Sequence, residues 1–109
     1  MPFTAMFVAH APDADPQRHK TLLDTGLYRL FAIVVKDQGQ SVQVCRTMVA
    51  DEGVQSILLC PGHTHQDVAE IAAAVGDGVS VSVARGDSRS MRVAAKAMEE
   101  AGWFSQTGA

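Results

Sequence analysis

The chain has 109 residues, 47% of them hydrophobic and 19% charged, with a formal net charge of −3. A chain of that length forms one domain that buries roughly two-thirds of the surface its unfolded form exposes, and the composition excludes a disordered polymer. With no basic stripe and no run of like charges, nucleic acid and anionic membrane are not expected as partners.

In chain order, Phe3 to Ala9 is an apolar, β-rich run. The N-terminal stretch has no basic flank and is too short for a signal peptide or a membrane span. In "APDADPQRHKTLLDTG", Asp15 before Pro16 has the form of an N-cap with proline at the first helical position. His19, Leu22 and Leu23 follow at helical spacing up to Gly26, so a first helix is expected there. Residues 27–35 form a second apolar run. Val42, Cys45 and Val49, with Met48 beside them, then give an amphipathic helix that stops at Gly53. Residues 54–60 are a third strand. Val68, Ile71, Ala72 and Val75 mark a helix ended by Gly76, and the alternation "VSVSVA" at 79–84 marks a fourth strand. Met91, Ala94, Ala97, Met98 and Ala101 mark a last helix, stopped by Gly102.

The order βαβαβαβα predicts an α/β fold of four βα units, a small parallel sheet with helices packed on it. A flavodoxin-like order 2-1-3-4 is preferred over a sequential half-barrel order, which would leave one sheet face bare. The V-S-V-S-V alternation suits an edge strand, or one whose serines let a helix approach closely. Residues 1–104 are read as the single domain and 105–109 as a flexible tail. A four-stranded sheet keeps two edges, so a homodimer is expected. Two cysteines, Cys45 and Cys60, with no CxxC, fit a reducing cytoplasm better than a disulfide framework.

In open α/β sheets ligands bind beyond the carboxyl ends of the strands, near helix N-termini. His10, His63 and His65 fall in those loops, and His19 falls near the same end. "CPGHTH" at 60–65 is the leading site candidate. Histidines at a helix start can serve as acid, base or anion ligand, and the helix dipole there favours neutral imidazole. The plainer reading is a helix capped by Thr64 beside two solvent-exposed histidines. Cys60, at the end of a strand, is a candidate thiolate nucleophile or simply a packed thiol; Cys45, on an apolar stripe, is core. Three histidines could hold a metal, but no HExxH or CxxC supports one, and no metal is assigned. In "ARGDSRS", Arg85 and Ser88 could seat an anionic group, with Ser88 or Ser90 capping the last helix; the alternative is an ordinary loop with solvated arginines. Asp13 is a further candidate contact for substrate, although Asp13 and Asp15 suit turn and cap roles better than catalysis. Phosphate and dinucleotide fingerprints are missing, so no cofactor is expected.

"HAPDADPQRH" and the run "GVQSILLCPGHTHQDVAEIAAAVGDGVSVSVARGDSRSM" resemble a family of short bacterial proteins described only as a domain of unknown function. The resemblance covers about residues 5–104. It implies a small α/β domain that acts at the Cys60 turn, and it supplies no reaction. In that family the turn is richer in glycine, carries an aromatic residue and follows an acidic one. Here Pro61 and His63 stand in the turn and Leu58 and Leu59 precede the cysteine, which implies a rebuilt site.

The expected function is that of a small cytoplasmic enzyme of the lyase, isomerase or cyclase kind, acting on a small polar or carbonyl-containing molecule. His63 is the expected general acid/base, helped by His10 or His65, with Arg85 and the N–H groups near Ser88 holding an anionic portion. The rival reading is a non-catalytic module that binds a small molecule or a partner protein.

Overall fold

The computed structural model describes residues 1–105. Five strands form one sheet: β1 (Phe3–His10), β2 (Lys20–Asp24), β3 (Tyr28–Val35), β4 (Ser56–Leu59) and β5 (Ser80–Val83). Three helices accompany it: α1 (Gln38–Glu52), α2 (His65–Val75) and α3 (Ser88–Glu100), with a 3-10 turn at Trp103–Ser105. The spatial order is β2-β3-β1-β4-β5, parallel throughout except for the antiparallel β2. The parallel strands therefore follow the flavodoxin-like order, and β5, the alternating V-S-V-S segment, is an edge, one of the two readings its pattern allowed.

One unit departs from expectation. The segment after Pro16 is a strand, not a helix. Asp15 does nucleate a turn, its carboxylate accepting from the Gln17 N–H and its carbonyl from those of Arg18 and His19. The turn stops there because Lys20–Asp24 pairs along the free edge of β3, satisfying backbone groups that the edge would otherwise expose. The expected tail begins at Ser105, which closes the 3-10 turn; the remainder of it lies outside the described residues.

The consequence is an asymmetric sheet. Both crossovers that carry α1 and α2 run in the same direction across the sheet, so the right-handed rule puts both helices on one face, and they pack against each other there. The connection from β1 to β3 runs the other way and would have brought a helix to the opposite face. Being a strand, it brings none. The core thus lies on one side, where Met6, Val8, Ile33, Val35, Ile57 and Leu59 meet Cys45 and Ile71.

Candidate functional site

β1 and β4 are neighbours, so the end of β1 lies beside the turn after β4. The Cys60 N–H donates to the Val8 carbonyl at 3.0 Å, and the chain then turns so that the His63 N–H returns to the Cys60 carbonyl at 3.1 Å. Thr64 caps α2 in a reciprocal box with Asp67: each side chain accepts from the other residue's backbone N–H. Arg85 fixes the turn from outside, its guanidinium donating to the carbonyls of Pro61 at 2.8 Å and His63 at 2.7 Å. Gly62 makes room: a Cβ there would stand 2.8 Å from His10 Nδ1.

Three side chains converge. His10 Nδ1 lies 3.2 Å from Cys60 Sγ, and His63 Nδ1 lies 3.6 Å from the same sulfur. The two imidazole rings are 4.2 Å apart, centroid to centroid. His63 is fully buried and both its nitrogens are engaged. Its Nδ1 is 3.1 Å from the Cys60 carbonyl, which can only accept, so Nδ1 carries a proton. In the neutral ring, Nε2 then accepts from the Ser41 hydroxyl at 2.7 Å.

The electrostatics follow from these contacts. Burial alone would raise the Cys60 thiol, but hydrogen bonds from His10, from His63 and from the backbone N–H groups of Gly62 and His10 outweigh it and hold the pKa at about 5. The His10 imidazole is raised above its ordinary value, first by its hydrogen bond to Cys60, against the lowering effect of burial. The carboxylates of Asp67 and Asp37 add to the rise. Both shifts run in the same sense, favouring a thiolate at Cys60 and a proton on His10, beside a buried second imidazole.

The other candidates stand apart from this cluster. His65 is exposed on the first turn of α2. His19 Nδ1 accepts from the Asp15 N–H in the loop before β2. Asp13 lies in the turn after β1. Arg85 touches the turn's carbonyls, as described. Ser88 opens α3, but neither it nor Ser90 is the cap; Asp87 is, accepting from the Ser90 N–H. Sequence reasoning missed Ser41, although the signal was present: it sits four residues before Cys45, on the same buried stripe of α1. A groove of about 200 Å³ opens between β2 and α1, lined by Pro16, Ile33, Val44 and Met48, and contains none of the three converging residues. The chemistry and that groove are separate features.

A family model described as a family of unknown function, DUF6506, matches residues 3–99, and the chain belongs to that family. No curated protein and no solved structure matches it.

Proposed function

We propose that this DUF6506 protein is an enzyme that moves protons on a small carbonyl-containing molecule, with Cys60 and His10 as its working pair. The observation that carries this reading is the 3.2 Å approach of His10 Nδ1 to Cys60 Sγ. A thiol beside an imidazole at a strand's carboxyl end is a recognised way to obtain a reactive sulfur near neutral pH. His63 supports rather than shuttles. It is buried, and its two nitrogens are already committed to Ser41 and to the Cys60 backbone.

The step consistent with that pair is enolisation. The Cys60 thiolate takes a proton from the carbon next to the carbonyl, the electron pair moves onto the carbonyl oxygen, and the His10 imidazolium gives that oxygen its proton. Isomerisation follows when the Cys60 thiol returns its proton to the adjacent carbon of an enediol while neutral His10 takes back a proton from the hydroxyl that becomes the new carbonyl. A lyase follows when a hydroxyl leaves the neighbouring carbon with its electron pair, protonated by the Cys60 thiol, while the enol O–H gives its proton back to His10. Arg85 acts by holding the Pro61 and His63 carbonyls, which keeps the turn closed around the sulfur. A reducing cytoplasm suits a protein whose site depends on a free thiolate, and a homodimeric state belongs to the same reading.

The test is exchange of α-protons into deuterated water, followed by NMR for a panel of keto acids and hydroxy ketones. Wild type should accelerate exchange on at least one compound, and Cys60→Ser and His10→Ala should each lose it. Exchange that survives Cys60→Ala would overturn the assignment. Thermal stabilisation by a ligand without any exchange would instead make this a binding module.

One observation favours a second reading. One donor atom from each of His10, Cys60 and His63 lies within 4.8 Å of the other two, a spacing that a single metal ion could bridge. Binding would require His63 Nδ1 to give up its proton and leave the Cys60 carbonyl. Retention of one zinc per chain through dialysis, lost in Cys60→Ser, would establish it.

A further inference from the structure

The bare sheet face and α3 are both left without a partner. On that face lie the alternate residues of each strand, among them Phe3, Phe7, Leu23, Tyr28, Leu30 and Leu58. None of the strand side chains on that face is charged. The Phe3 and Tyr28 rings stack on it, their centroids 5.7 Å apart, and Leu23 and Leu58 remain 63% and 42% exposed. The outward residues of β5 are Ser80 and Ser82, which are small enough to admit a helix closely.

Meanwhile α3 is amphipathic and unused. Met91, Ala94, Ala95 and Met98 form one stripe, with Arg89, Arg92 and Lys96 on the opposite side. No residue of this helix is buried, and its main packing partner is the 3-10 turn that follows it. A helix so clearly patterned and so little covered lacks its counter-surface.

We propose that the counter-surface is a second copy of this chain: α3 of each protomer lies across the uncovered sheet face of the other. Dimensions support this occupant. Five strands about 4.8 Å apart are about 19 Å wide, and a 13-residue helix is about 20 Å long. In projection a helix about 20 Å long and about 10 Å across covers about 200 Å² of the facing sheet and buries as much of its own face, so each chain contributes about 400 Å² to two equivalent contacts. A two-fold axis makes the exchange reciprocal, so one chain carries both halves of the contact. This deepens the homodimeric part of the function proposed above and does not depend on Cys60.

Sedimentation equilibrium tests it with wild type, Leu58→Lys and Ala94→Glu, each checked for folding by circular dichroism. Both positions are exposed in the single chain, so the monomer tolerates the charges. Wild type should sediment at twice the mass of one chain and each variant at the mass of one. Mixing the two variants should restore dimers, because one of the two helix–sheet contacts is then fully wild type. A monomeric wild type, a dimer that survives Ala94→Glu, or a mixture that stays monomeric would each overturn the proposal. Thiolate titration of the same variants separates the two proposals: an unchanged Cys60 titration leaves the enzyme reading standing whichever way the masses fall.

Discussion

The two cysteines lie fifteen positions apart in sequence and in opposite chemical surroundings. Cys45 sits on the apolar stripe of α1, where burial pushes its thiol up to about 12. Cys60 is also largely buried, yet it stands near 5 because two imidazoles and two backbone N–H groups face its sulfur. Burial raises both thiols; what separates them is whether donors were placed within reach. Exposure alone therefore does not identify a reactive cysteine, and the partners of the sulfur do.

The largest expected effect is a separation of the two thiols by reactivity. At pH 7 the pKa values imply a thiolate fraction on the order of 10⁵ higher at Cys60. The weaker nucleophilicity of a low-pKa thiolate takes back about three decades, leaving on the order of a hundredfold from ionisation alone. Mass spectrometry after brief iodoacetamide treatment should show one modification on the folded protein, at Cys60, and a second at Cys45 only after unfolding. Equal labelling of both in the folded protein would remove the contrast.

The next effect sharpens the cause. His10→Ala removes a donor from the sulfur, and Gly62→Ala puts a Cβ 2.8 Å from His10 Nδ1, too close for the ring to stay where it is. Both should raise the Cys60 pKa, a rise of one unit lowering the thiolate fraction at pH 5 about fivefold, as read by the ultraviolet absorbance of the thiolate. The pH dependence of stability has a definite sign. The folded thiol pKa of about 5 lies below its ordinary 9.0, so the unfolded chain holds the proton between those values. Cys60 therefore contributes stability that is complete above pH 9 and is lost as pH falls through 5. His10, being raised, works in reverse: its contribution is complete below 6.5 and fades as pH rises through its folded pKa. Unfolding curves of wild type against Cys60→Ser should diverge as pH rises from 5. Parallel curves would mean the thiolate is not formed.

Much of this frame was legible in the chain. Strands β1, β3, β4 and β5 and helices α1 and α2 carry the hydrophobic period that their environments require, and α3 carries one that the single chain leaves uncovered. The rim rule drew attention to His10, Cys60 and His63, together with His65, His19, Asp13, Arg85 and Ser88, which stand outside the cluster. The failure at Lys20–Asp24 has a physical origin. Leu22 and Leu23 fit a helical stripe, but five residues beside an unpaired strand edge gain more from the ladder than from one further helical turn, a tertiary choice that local spacing does not encode. Convergence of both Nδ1 atoms on one sulfur depends on Gly62 admitting the His10 ring and on Arg85 closing the turn. Residue types along a sequence do not reveal either. The surroundings of His63 were hidden for the same reason: nothing in "CPGHTH" announces that Ser41, twenty-two residues away, occupies its far nitrogen.

That distant contact carries the smallest prediction, and the most specific. Ser41→Ala leaves His63 Nε2 buried without a partner, at a cost of about 1–3 kcal/mol in unfolding free energy. Thr64→Ala, in the same turn but at the exposed cap, should cost about 1 kcal/mol. Stability alone would not tell support of the site from ordinary packing, so the informative quantity is the Cys60 titration. If Ser41 aims His63 at the sulfur, Ser41→Ala should raise the Cys60 pKa while Thr64→Ala leaves it close to 5, because Asp67 and Arg85 still hold the turn. A titration unmoved by Ser41→Ala would reduce His63 to a buried hydrogen-bonding residue and leave His10 alone as the partner of the thiolate.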